Sequence, residues 1–361
     1  MLVTLIVVAL FMGLLWLGVL LVFQGDDHRR YDLPRPVAKG KRDCESTELK
    51  AVIQRMLDDR AATPKLSRNR LLELLRTQMD DSGAAFEVSS KIRAIVVDGM
   101  KAEWVMAANA DPNRRILYIH GGAYMMGSPK SHRLITSRLS EIANAVVLAI
   151  DYRLMPENRR MAGINDCRDA YRWVLENGPD GRSDADVLIV AGDSAGGNLA
   201  LSTIAWARDT QLRSADAVVA FSPQTDQTLA SPSLHSNIDT DIMLGISFGP
   251  MVNTRKVIAL SSSFLMNRIN PSNALVSPLF GDLSGLPPIL VQASEAEMLL
   301  DDAVRYVNKA NAQGSTAIIQ TWPFTPHVWQ AFQTPEADEA FAAVEEFLSA
   351  RTMNLPSKTY D

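Results

Sequence analysis

Gly192-Asp193-Ser194-Ala195-Gly196 has the pattern G-x-S-x-G, with the apolar run Val187–Ala191 before it and the helix-like run Asn198–Ala207 after it. Strand, tight turn, helix is the setting in which a serine is lifted clear of its neighbours with its hydroxyl exposed. The turn crowds the serine backbone, and glycine fits beside it because it carries no Cβ. An ordinary turn at a strand end uses the same residue types, so the rest of the chain has to separate the two readings.

Three further stretches do so. His120-Gly121-Gly122 follows the apolar run Ile116–Ile119, and glycines at a strand end leave N–H groups free to face an anion. Gly121 and Gly122, with Ala195 just after the serine, are the expected donors to an oxyanion. An acidic cluster, Glu295, Glu297, Asp301 and Asp302, follows the strand-like run Ile289–Ala293, and His327 follows Thr316–Thr321. The order serine, acid, histidine is that of an α/β-hydrolase. The chain has five histidines, His28, His120, His132, His235 and His327, and only His327 lies after both the acidic cluster and a late strand.

These residues resemble the hormone-sensitive-lipase-like branch of the α/β-hydrolases, a family of bacterial carboxylesterases with an arylacetamide-deacetylase relative in animals. The resemblance runs from about Ile92 to Leu348. It is carried by Ile119-His-Gly-Gly-Ala-Tyr124, Asp151-Tyr-Arg-Leu-Met-Pro-Glu157, Gly192-Asp-Ser-Ala-Gly-Gly-Asn198, Ser222-Pro-Gln-Thr-Asp226, Ser277–Pro288 and Pro326-His-Val-Trp-Gln330. It implies a mostly parallel eight-stranded sheet with helices on both faces and a helical cap. It also implies a serine esterase acting on short- to medium-chain esters without a cofactor or metal. Three departures stand out. Ala123 replaces the usual third glycine, although alanine still offers its N–H. Asn158–Gly163 replaces a proline-rich stretch. Where many members carry Asp-Pro-Leu-x-Asp, this chain reads Glu297-Met298-Leu299-Leu300-Asp301, so Glu297 takes the position of the catalytic acid, with Glu295 and Asp301 as alternatives. The implied triad is Ser194, Glu297 and His327.

With 361 residues and a net charge of −5, the chain is long enough for one large α/β domain and shows no basic footprint for nucleic acid. Two cysteines, Cys44 and Cys167, make neither a disulfide framework nor a zinc site. Met1–Phe23 is apolar without a Lys or Arg, and at about 1.5 Å per residue it is long enough for a bilayer core of about 30 Å. It is therefore expected to be a single-span membrane anchor, with a cleaved signal peptide as the alternative. The basic residues Arg29, Arg30, Arg35, Lys39, Lys41 and Arg42 would then place the catalytic domain in the cytoplasm. Expected units are an anchor (1–23), a juxtamembrane linker (24–44), cap helices (45–90), a catalytic domain (91–352) and a tail (353–361). Eight strands are expected, at Ile92–Val97, Glu103–Ala107, Arg115–Ile119, Val146–Ile150, Val187–Ala191, Ala217–Phe221, Ile289–Ala293 and Thr316–Thr321. Ser231–Asn270 breaks this rhythm and reads either as a second cap segment or as an ordinary insertion.

The leading reading is a carboxylesterase, with lactone or amide hydrolysis as variants; the oligomeric state stays open. A hydrolase fold kept only as a receptor or scaffold would be expected to lack a triad member. A dehalogenase or epoxide hydrolase would need an aspartate where Ser194 stands.

Overall fold

The computed structural model describes residues 13, 14, 16–64 and 66–352. Its centre is an eight-stranded sheet of β1 (Lys91–Val97), β2 (Met100–Met106), β3 (Asp111–Ile119), β4 (Ala145–Ile150), β5 (Val187–Asp193), β6 (Ala217–Phe221), β7 (Ile289–Ser294) and β8 (Ala317–Trp322). The spatial order is β1-β2-β4-β3-β5-β6-β7-β8. β2 pairs antiparallel with β1 and with β4, and every other neighbour is parallel. All eight strands lie where the sequence pattern puts them, within a few residues at each end.

Strands β4, β5, β6 and β7 are buried at every position. Continuous apolar runs of this kind cannot face water on either side, so both faces must be covered. Leu148, Val190 and Val291 point to one face, under α4 (Arg160–Glu176), α5 (Ala195–Asp209) and α8 (Leu300–Ala312). Val147, Ile189 and Leu290 point to the other, under α3 (Arg133–Ala143) and α9 (Pro335–Thr352). In α3 the residues Ile135, Leu139 and Ala143 recur at helical spacing and are buried, and the helix stops at Asn144 in the left-handed conformation.

Helices α1 (Thr47–Ala61), α2 (Arg68–Ala84), α6 (Leu244–Val252) and α7 (Lys256–Asn267) lie outside these layers. The Ser46 hydroxyl caps α1 by accepting from the Leu49 N–H at 3.0 Å. The 231–270 stretch packs Leu234 and Val252 against Met298 and Leu299, so it sits on the loop that carries Glu297.

The expected membrane-spanning helix over Met1–Phe23 requires correction. Among the described residues no helix is long and apolar enough to cross a membrane. Residues 1–12 and Leu15 of that stretch lie outside the described residues. The end of the apolar run is used for packing: the Phe23 ring stacks on Phe264 of α7 at 4.8 Å, and Asn270 Nδ2 donates to the Val22 carbonyl at 2.8 Å. The single-pass anchor and the cytoplasmic placement drawn from it therefore fail. Segment 24–44 also lies against the domain. Lys39 N–H donates to the Thr321 carbonyl at 2.8 Å, and Arg305 Nε donates to Asp32 at 2.6 Å. The expected tail, 353–361, lies outside the described residues.

One close approach fixes how β3, β5 and α5 meet. A Cβ added at Gly196 would stand 2.0 Å from the Ile119 carbonyl oxygen and 2.5 Å from that of His120. Both obstacles are backbone, so no rotamer change relieves the clash. Gly196→Ala should cost about 3 kcal/mol or more, read as a lowered midpoint in thermal or urea unfolding. An unchanged midpoint would contradict this packing of α5 on β3.

Candidate active site

Four loops meet at the carboxyl ends of neighbouring parallel strands. β3 leads into residues 120–127, β5 into Ser194, β7 into the Glu297 loop and β8 into the His327 loop. In open α/β sheets this edge is where ligands bind, because the loops there converge over one crevice.

Ser194 is the N-cap of α5, with φ 52° and ψ −117°. Such a conformation is costly for a residue with a Cβ and persists only where its surroundings impose it. Here the Ser194 N–H donates to the Phe221 carbonyl at 2.8 Å, and the Asn198 N–H donates back to the Ser194 carbonyl at 3.1 Å. The strained turn leaves the hydroxyl facing His327, with Oγ and Nε2 2.8 Å apart. On the other side of the ring, Nδ1 lies 2.7 Å from Glu297 Oε2. Both His327 and Glu297 are buried. The sequence-predicted serine, acid and histidine thus form one hydrogen-bonded chain.

The acid loop is held from several sides. Glu297 Oε1 accepts from the Ser294 N–H at 3.2 Å, and the Asn237 amide donates to the Glu297 carbonyl at 2.9 Å. The Met298 N–H donates to Asp241 Oδ2 at 2.8 Å. Ser294 Oγ donates to the Thr325 carbonyl, which ties the acid loop to the histidine loop. The alternative acids are engaged elsewhere. Glu295 accepts from Thr321 Oγ1 at 2.9 Å, and Asp301 accepts from the Ser233 N–H at 2.8 Å and pairs with Arg35.

The glycine loop departs from expectation at one position. The Gly121 N–H donates to Asp193 Oδ1 at 2.9 Å, so it is already committed and is not a free oxyanion donor. Asp193 is buried, and it also accepts from Tyr118 Oη at 2.6 Å and stands 3.3 Å from His132 Nε2. It braces the loop rather than facing the serine. The N–H groups of Gly122, Ala123 and Ala195 have no hydrogen-bond partner among the described residues. Gly122 has φ +110°, and a Cβ there would stand 2.2 Å from the Met126 carbonyl oxygen, so only glycine fits. Ala123 and Tyr124 also have positive φ, 53° and 64°. The sequence identified the loop; the error of one residue in its donors came from not seeing that Asp193 turns inward.

Charge at the site follows from burial and pairing. Burial alone would push the His327 imidazole down, but the hydrogen bond and charge of Glu297 outweigh it and raise the pKa. Burial, with the charge of neighbouring His132, pushes His120 down to about 3. His120 is therefore neutral; its Nδ1 donates to the Gly121 carbonyl at 2.7 Å and its ring stacks on Tyr152 at 4.4 Å. Sequence reasoning missed Asp241, which holds the Met298 N–H, and Asn198, whose N–H meets the Ser194 carbonyl. Asp241 lies in the 231–270 stretch, whose pattern carries no register that would aim one aspartate at the site. A serine, a buried imidazole, a carboxylate and free N–H groups on this edge can together carry out acyl transfer.

Known proteins agree with this reading of the fold. The family described as alpha/beta hydrolase fold matches residues 116–331. The chain is 36% identical over 261 residues to an acetyl-hydrolase of Streptomyces hygroscopicus, covering 72% of this chain and 82% of that one. Among solved structures it is similar to an esterase from the bacterial hormone-sensitive lipase family, with TM-score 0.73 and 33% identity over 85% of this chain and 99% of that one. It is likewise similar to EstE5 soaked with p-nitrophenyl butyrate, with TM-score 0.72 and 31% identity over 85% and 99% of the two chains. The chain belongs to the α/β-hydrolase family, in its hormone-sensitive-lipase branch.

A base of this kind works only when neutral, so activity should fall as pH drops through the His327 pKa. Because Glu297 raises that pKa, the acid limb of kcat/KM in the native protein should lie above the ordinary histidine value of about 6.5. In Glu297→Gln the raising charge is gone, so the residual activity should show an acid limb at lower pH. A limb that stays in place would contradict the Glu297–His327 pairing.

Proposed function

We propose that the protein is a serine carboxylesterase in which Ser194 is the nucleophile, His327 the general base and acid, and Glu297 the carboxylate that orients the imidazole. The observation carrying this is the unbroken hydrogen-bond chain from Ser194 Oγ through His327 to Glu297, 2.8 Å and then 2.7 Å. Ser194 Oγ attacks the ester carbonyl carbon as His327 Nε2 takes its proton. Glu297 keeps the proton on Nδ1 and stabilises the imidazolium that forms. The carbonyl oxygen becomes an oxyanion and is received by the N–H groups of Gly122, Ala123 and Ala195. Each such donor contributes about 3 kcal/mol to the transition state. His327 returns the proton to the leaving alcohol, and the acyl group stays on Ser194. Water, deprotonated by His327, then attacks the acyl carbon; as the bond to Ser194 Oγ breaks, His327 gives that proton to Oγ and the carboxylic acid leaves. Apart from the ester and the water, every group these steps use belongs to the chain itself.

Residues 91–352 are the catalytic domain in this reading, and 45–90 contribute to a cap over it. The tie supporting the cap is Arg76 of α2, which donates to the Met125 carbonyl at 2.7 Å and pairs with Glu157 at 2.8 Å. The substrates are esters with short to medium acyl chains. Two named similarities favour this: one relative is an acetyl-hydrolase, and one solved structure was soaked with a butyrate ester.

A fluorophosphonate should label the purified protein at Ser194. Ser194→Ala should lose labelling and ester hydrolysis together, with a fall in turnover of at least about 10⁴-fold. Across p-nitrophenyl esters from acetate to palmitate, rates should be highest for the shorter chains. Undiminished turnover in Ser194→Ala would refute the nucleophile, and a preference for palmitate would refute the acyl range.

A further inference from the structure

Arg160 stands in the segment that departs from the family's proline-rich stretch, and its placement is unusual for a cation. Only 2% of it is exposed, yet no carboxylate among the described residues pairs with it. It occupies the first turn of α4, where the helix dipole disfavours positive charge, and that turn holds no acidic residue. Its Nε is buried without a partner. Its two contacts lead toward the active site.

The guanidinium carbon sits over the Tyr124 ring, 3.5 Å from the ring centre, and Nη2 donates to Asn198 Oδ1 at 2.9 Å. Tyr124 ends the Gly122-Ala123-Tyr124 turn, all three residues of which have positive φ. Asn198 lies on α5, one turn beyond Ser194, and its amide donates to the Gln224 and Val276 carbonyls, both at 2.8 Å. Tyr124 Oη closes the circuit by donating to Gln224 Oε1 at 3.1 Å. A left-handed turn of non-glycine residues relaxes unless something holds its end. A desolvated cation on an aromatic face is a strong directional hold, and guanidinium can stack and donate in one geometry, which lysine cannot.

We propose that Arg160 is a positioning residue. It clamps Tyr124 to the elbow helix, and so holds the Gly122 and Ala123 N–H groups where the oxyanion forms. This rests on the reading of Ser194 as nucleophile. Because the clamp acts on the oxyanion donors, its loss should weaken the tetrahedral state and leave ground-state binding alone.

The test compares native protein with Arg160→Met and Arg160→Lys on p-nitrophenyl butyrate. It also measures inhibition by a trifluoromethyl ketone, which forms an oxyanion adduct on the serine, and by the matching carboxamide, which does not. Arg160→Met should lose about 10- to 100-fold in kcat with KM within about twofold. Trifluoromethyl ketone affinity should fall in step with kcat/KM while carboxamide affinity holds. Arg160→Lys should recover only part of the loss. Should Arg160→Met not fold, Tyr124→Leu, which leaves Arg160 on Asn198, should give the same pattern. A kcat within about twofold of native, a loss confined to KM, or equal weakening of both inhibitors would overturn the clamp. Failure of the underlying reading looks different: the native protein itself would resist fluorophosphonate and the trifluoromethyl ketone.

Discussion

Everything at this site depends on how closely α5 approaches the end of β3. Gly196 rests directly on the Ile119 and His120 carbonyls, and Gly192 also sits close, a Cβ there standing 2.7 Å from the Ile119 oxygen. These contacts force the backbone through Ser194 into a conformation that only a tightly packed turn can hold. They also set the distance between the serine and the 120–127 loop, which leaves the same strand end. Ser194 and the Gly122 and Ala123 N–H groups are therefore placed by one rigid contact between backbones, not by two independent loops.

Charge is then arranged so that the buried ionisable groups have partners suited to their work. Asp193 is surrounded by the Gly121 N–H, the Tyr118 hydroxyl and His132, which suits a carboxylate that anchors and does not react. Glu297 faces one strong donor, the His327 imidazole, and this pairing raises the pKa of the ring that faces the Ser194 hydroxyl. Asp193 ends β5 and Glu297 lies just beyond β7, on the same sheet edge, and their surroundings differ because their neighbours differ. Arg160 differs from these carboxylates: among the described residues its partners are a ring and an amide oxygen. Such a departure from local rules is expected where function has been favoured over stability.

Much of this was legible in the chain. The largely apolar five-residue runs Val146–Ile150, Val187–Ala191, Ala217–Phe221 and Ile289–Ala293, each followed by Asp, Gly or Ser, marked the central strands, because a doubly covered parallel strand has to be largely apolar. Ser194 and His327 could be read because each follows such a run in the required order. Glu297 needed alignment on Leu299 and Asp301, since three acids lie within seven residues and periodicity does not separate them. What could not be read was direction. That the Asp193 carboxylate turns back onto the Gly121 N–H, displacing the donor set by one residue, depends on a contact between positions 72 residues apart. The apolar N-terminal run misled for a related reason. Hydropathy records what a segment avoids, and Phe23 satisfies it on Phe264 within the protein.

The central claim is that Ser194 works with an oxyanion hole made by Gly122, Ala123 and Ala195 while Gly121 stays bound to Asp193. A crystal structure of the protein after reaction with a dialkyl fluorophosphate tests it most directly, because the phosphoryl oxygen occupies the oxyanion position. The account predicts phosphorus on Ser194 Oγ, the phosphoryl oxygen within about 3.1 Å of those three nitrogens, and the Gly121 N–H still on Asp193. Phosphorus on another residue, or a phosphoryl oxygen held by Gly121 with Asp193 displaced, would contradict it.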